Sequence, residues 1–156
     1  MSLVRLVVQK SVNYFWAKFK HAEKDVELVD SCELKFIIQH RCMETWLLGN
    51  RKVYKRNPQG EKFREYSAFY NVEKDDPELM PKYEGFRRPT PHFHYAYLRE
   101  MLQEYNIRYS KRNPKLVLTE TNFGEIVKRV LDEPTHLSSF SDFLVLIEEI
   151  KEYLQG

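Results

Sequence analysis

Between Thr90 and Tyr105 the apolar side chains return every three or four residues, at Tyr97, Leu98, Met101, Leu102 and Tyr105, and no other stretch limits the fold as strongly. That spacing puts them on one face of an α-helix, whose opposite face carries Arg99, Gln103 and Glu104. Thr90-Pro91 suits a helix start. A threonine oxygen can accept an orphan amide hydrogen bond, and proline at the first helical position gives up a donor the helix cannot use. The pattern predicts a helix over 91–105 with its apolar face in a core.

The same reasoning predicts helices over 11–23 (Val12, Phe15, Trp16 and Phe19 on one face), over 121–132 (Phe123, Ile126, Val127 and Val130, capped by Thr121) and over 140–155. In the last of these Phe140, Phe143, Ile147, Ile150 and Leu154 point inward and the acidic residues outward. Residues 33–48 fit helical spacing behind the box Asp30-Ser31-Cys32-Glu33. Yet Leu34, Phe36, Ile38, His40 and Cys42 also alternate at the strand period, so both readings stand there. Strands are expected at 3–9 and, more briefly, at Asp25 to Val29. A hairpin is expected over 51–57 and 61–72 about the turn Asn57-Pro58-Gln59-Gly60, where proline and glycine take their preferred type I positions. The fold class this implies is α+β: a small, mostly antiparallel sheet from 3–9, 51–57 and 61–72, packed with about five helices. At 156 residues it forms a single globular domain over 1–156, able to fold without disulfides or metal.

Two cysteines, Cys32 and Cys42, are too few for a disulfide framework, which points to a reducing, intracellular, cytoplasmic setting. The longest apolar run, Phe143 to Ile147, is far too short to span a bilayer, and no signal peptide is recognisable, so no membrane partner is expected. Charge is split along the chain: residues 1–119 hold 22 Lys and Arg against 15 Asp and Glu, whereas residues 120–156 hold 3 against 8. A basic body favours polyanions, so the expected partner is nucleic acid, DNA ahead of RNA, with a homodimer allowed. The acidic helix at 140–155 should face away from it.

Walker loops, Rossmann glycines, zinc-ligand quartets and Ser or Cys nucleophile signatures are all missing from the sequence. Chemistry-bearing side chains concentrate in the stretch from Lys82 to Arg99, where Glu84, Arg87, Arg88, His92 and His94 stand on a proline-braced loop and the helix start beyond it. Phosphodiester cleavage needs a carboxylate for metal or water and cations for the charge that develops on phosphorus. Glu84 is thus the candidate ligand for Mg2+ in a metal-dependent nuclease, Arg87 and Arg88 the phosphate clamps, and His92 or His94 a base. On a helix the two imidazoles diverge by about 200°, which disfavours a metal pair. A second set of candidates is basic and aromatic: Arg51, Lys52, Lys55, Arg56, Lys62 and Arg64 interleaved with Tyr54, Phe63 and Tyr66. A two-stranded ribbon could lay these along a phosphate groove. Arg108, Lys111 and Arg112 form a third basic stretch.

Residues 94–131 resemble the RFX-like winged-helix pattern, a tyrosine-rich helix followed by a linker and a helix reading Thr-Asn-Phe-Gly-Glu-Ile-Val-Lys-Arg-Val. Phe123-Gly124 and Lys128-Arg129 would then lie on the recognition helix, and the resemblance implies a non-catalytic DNA-binding regulator with a wing hairpin after that helix. A third alternative is an interaction module whose acidic C-terminal helix docks a partner.

Overall fold

A computed structural model describes residues 3–7 and 33–155. The helix expected at 11–23 and the strand expected at Asp25 to Val29 lie outside the described residues. Two five-residue strands, β1 (Leu3–Val7) and β2 (Glu33–Ile37), pair in parallel with Leu3 opposite Glu33 and Val7 opposite Ile37. From residue 38 to residue 155 there is no strand. Among the described residues there are five α-helices: α1 (Met43–Leu47), α2 (Glu61–Phe69), α3 (Thr90–Gln103), α4 (Glu120–Asp132) and α5 (Ser138–Gln155). Short 3-10 turns occur at Arg51–Val53 and Pro77–Leu79.

The expected α+β fold with a small antiparallel sheet is therefore corrected to a helical one. Its hairpin does not form. Arg51–Val53 is a 3-10 turn capped by the Asn50 side chain, which accepts from the Lys52 amide at 3.0 Å. Residues 61–69 are helix α2 because Phe63, Tyr66 and Tyr70 lie three and four apart, and a helix aims all of them at one neighbour. Phe63 and Tyr66 are buried there, with Tyr66 5.0 Å from Phe93 and Phe63 5.9 Å from Tyr97, ring centre to ring centre. The Asn57–Gly60 turn leads into that helix, and its exposed amides are met from far along the chain. The Glu104 carboxylate accepts from Gln59 N–H at 2.9 Å and from Gly60 N–H at 2.6 Å, and Lys55 completes the cluster at 3.2 Å. A carboxylate at this helix end satisfies orphan donors and opposes the helix dipole.

The expected helix over 33–48 is also shorter. The alternation of Leu34 and Phe36 goes into β2, and the chain turns at Arg41, which sits in the left-handed region at φ 75°, before α1 begins. Helix α4 is capped by Thr119, two residues ahead of the expected Thr121, through its hydroxyl and the Asn122 amide at 3.2 Å.

Helix α3 is the centre of the core. Phe93, Tyr97, Leu98, Met101 and Leu102 are each no more than 1% exposed, and α1 and α2 both pack on this helix. The way α3 ends sets the path of the chain beyond it. Asn106 takes the left-handed conformation at φ 57°, its amide donates to Gln103 O at 2.9 Å and the Ile107 amide donates to Leu102 O at 3.1 Å. This is the Schellman arrangement, for which asparagine is the usual substitute for glycine. It reverses the chain, so residues 108–112 run back beside α3.

Two buried polar anchors lock the remaining elements. Glu78 accepts from Ser138 Oγ at 3.0 Å, from Ser139 N–H at 3.2 Å and from Trp46 Nε1 at 3.3 Å, and also bonds Ser139 Oγ, so a carboxylate closes the start of α5. Arg129, 2% exposed, donates to the carbonyls of Val72 at 2.6 Å and Asp75 at 2.8 Å and lies 3.0 Å from His136 Nδ1.

Candidate functional site

Because α3 turns once every 3.6 residues, His92, Tyr95, Ala96 and Arg99 share one face of it. The Schellman reversal lays Ser110, Lys111 and Arg112 opposite that face, and the loop before the helix adds Phe86, Arg87 and Arg88. Between these walls lies a cleft of about 800 Å³ with no carboxylate among the described residues on its lining. Its floor is apolar, made of Phe86, Pro91, Ala96 and the Tyr95 ring.

Two of its cations are already oriented. The Arg99 guanidinium stands 5.7 Å and the Lys111 ammonium 5.8 Å from the centre of the Tyr95 ring, within the range of attraction between a cation and an aromatic face. Lys111 is also 3.4 Å from Glu44, a carboxylate only 1% exposed that accepts from Tyr109 Oη at 2.9 Å. Burial, reinforced by Glu44, pushes the Tyr109 phenol above its ordinary range, so it stays a donor. Glu44 thus ties the 109–111 segment to α1. Among the described residues no carboxylate forms an ion pair with Arg87, Arg88, Arg99 or Arg112. All four are exposed, so their charge is open to an anion from solution.

The sequence candidates separate into distinct places. Arg87, Arg88, His92, Lys111 and Arg112 come together in the cleft, and Arg108 lines an adjoining hollow that shares Tyr95 and Arg99 with it. Glu84 is exposed in the preceding turn and does not line the cleft. His94 points the other way: it is fully buried, with Nδ1 2.8 Å from Thr45 Oγ1. Burial, with Arg41 adding to it against the pull of Glu44, lowers its imidazole to about 4, so it is neutral and removed from solvent chemistry. No group of three or more His, Cys, Asp or Glu side chains converges among the described residues.

At the start of α3, Pro91 has no N–H and the His92 and Phe93 amides donate to Pro89 O at 2.9 and 3.4 Å, so these three positions offer an anion no free amide. Gly85 is needed for space and not for an unusual φ, since a Cβ would come within 2.8 Å of the Tyr83 ring.

The expected ribbon cations are engaged elsewhere. Arg51 pairs with Glu133 at 2.6 Å, Lys52 with Glu125 at 3.8 Å, Lys55 with Glu104 at 3.2 Å, Arg56 with Glu73 at 2.7 Å and Lys62 with Glu65 at 2.8 Å. Arg64 is exposed on α2. On α4, Arg129 is interior and cannot face a DNA groove, and helix α5 occupies the stretch where a wing hairpin would stand. Sequence reading passed over Tyr95, Arg99 and Phe86. The signal for two of them was present, since His92, Tyr95 and Arg99 stand at helical steps of three and four.

No protein-family model matches the chain, and no curated protein or solved structure matches it.

Proposed function

We propose that this protein binds nucleic acid through the cleft between α3 and residues 108–112, holding phosphates with its arginines. One observation carries the reading: four arginines without carboxylate partners among the described residues, Arg87, Arg88, Arg99 and Arg112, line one concavity with an apolar floor and no acidic side chain. The 51–62 cations, by contrast, each pair with a carboxylate. An unbalanced cluster raises the local positive potential and attracts a polyanion. Arginine also suits phosphate, since its planar fork can bond two oxygens at once. The apolar floor adds a surface that inorganic polyphosphate would leave unused and a nucleobase would cover.

The test is fluorescence anisotropy with labelled DNA and RNA at several salt concentrations. The Arg88→Gln, Arg99→Gln, Arg112→Gln triple variant is expected to flatten the plot of log affinity against log salt by about two to three, at close to one unit per lost phosphate contact. A Lys52→Gln, Arg64→Gln control, outside the cleft, is expected to leave the slope unchanged. Equal slopes for the triple variant and the wild type would remove the cleft from the interface.

A further inference from the structure

Two further hollows adjoin the cleft, one toward each end of α3. Toward the helix start, Arg87, Arg88 and Pro91 also line a second hollow of about 580 Å³ that adds Gln39, Arg41 and Lys82. Toward the helix end, Tyr95 and Arg99 also line a third of about 490 Å³ that adds Gln103, Asn106 and Arg108. Among the described residues no Asp or Glu side chain lines any of the three. Sharing these walls, the three lie in succession along α3, whose 14 residues span about 20 Å at 1.5 Å each.

We propose that this row of hollows holds a single strand of nucleic acid, extended along α3, in preference to a duplex; the proposal rests on the nucleic-acid reading given above. Three features support it. The cations stand in file, Lys82, then Arg87 and Arg88, then Arg99 and Arg112, then Arg108, which suits one sugar-phosphate backbone and not the two that a duplex presents across a groove. The lining is concave, so it can enclose a single backbone. Beside Tyr95 the floor of the central cleft, Phe86, Pro91 and Ala96, is apolar and half-buried, and only an unpaired strand has base faces to lay on it. Gln39, Gln103 and Asn106 add donors and acceptors at either end.

The Tyr95 ring does not act as an open platform, because Arg99 and Lys111 already stand over it. Phe86 is the side chain placed to receive a base, its ring 5.6 Å from that of Phe93 in the core. Its substitution separates base contact from phosphate contact.

The full chain is titrated into labelled oligothymidylate and, separately, into a labelled mixed-sequence duplex, over a range of potassium chloride. Oligothymidylate is expected to bind at least about tenfold tighter, with a salt slope of about −4, from six cations at roughly 0.7 each. Phe86→Leu, which keeps an apolar side chain for folding, is expected to weaken oligothymidylate by about fivefold or more at an unchanged slope, because stacking is lost and the phosphate contacts stay. A duplex bound as tightly as the single strand would overturn the single-strand proposal while leaving the nucleic-acid reading in place. Binding of neither would overturn both.

Discussion

Glu104→Gln tests the cap that joins α3 to α2, and the geometry sets its size. In the wild type one buried carboxylate, 4% exposed, accepts two backbone N–H groups at 2.6 and 2.9 Å and pairs with Lys55 at 3.2 Å. The amide keeps the shape and one accepting oxygen, but sets an NH2 against the second donor and loses the charge that opposes the helix dipole. Losing one charge-assisted bond of this kind costs about 2 kcal/mol, which in a chain of this size lowers Tm by roughly 4 to 8 °C. The pH dependence is a stricter check. Burial by itself would raise the Glu104 pKa, but the Gln59 and Gly60 amides and Lys55 outweigh it and hold the carboxyl below its usual 4.5. A carboxylate with a lowered folded pKa contributes stability above its unfolded value and loses it as pH falls through the folded one. The gap between wild type and variant, measured by circular dichroism melts, is therefore full at neutral pH and closes in acid. Equal melting at neutral pH, or a gap that persists unchanged in acid, would refute the cap.

His94 supplies a second pH signature in a higher window. Its folded pKa is depressed from 6.5 to about 4, so stability is present above 6.5 and is lost as pH falls toward 4, by about 1.4 kcal/mol per unit. His94→Gln is expected to flatten urea-denaturation stability across that interval, and a slope unchanged by the substitution would contradict its neutral, buried state. Arg129→Met keeps much of the side-chain volume but orphans the Val72 and Asp75 carbonyls, so it is expected to destabilise by about 3 kcal/mol or more, read from the urea midpoint. A loss under about 1 kcal/mol would mean water replaces the guanidinium. Gly49→Ala would press a Cβ to within 2.4 Å of Leu137 and 2.8 Å of the Trp46 carbonyl oxygen; a loss of about 1 to 3 kcal/mol is expected, checked by thermal melting.

Helices α3, α4 and α5 were legible because their apolar residues repeat at the helical period over ten or more positions. Helix α2 was not. Tyr54, Phe63 and Tyr66 alternate with lysines and arginines in a way that also fits a strand, and the turn Asn57–Gly60 suits a hairpin as well as a helix entry. What decides is the Glu104 carboxylate, 44 positions further on, together with the Phe93 and Tyr97 rings, and local sequence cannot show either. At the site, Arg87, Arg88 and His92 stood out as a cluster, and so separately did Arg108, Lys111 and Arg112. Their meeting depends on the left-handed turn at Asn106, whose direction a basic-residue count does not contain. Glu84 drew attention by proximity in sequence alone; a turn at Tyr83–Phe86, closed by the Phe86 amide on Tyr83 O at 3.0 Å, leaves it outside the cleft.

Ultraviolet crosslinking of the full chain to labelled oligothymidylate, followed by peptide mapping, tests the nucleic-acid reading most directly. Crosslinks are expected on the peptides that hold Phe86, Tyr95 and residues 108–112, with their loss in the Arg88→Gln, Arg99→Gln, Arg112→Gln variant. Crosslinks concentrated on α5, or on the peptides from Arg51 to Arg64, with the 86–112 region clear, would contradict it.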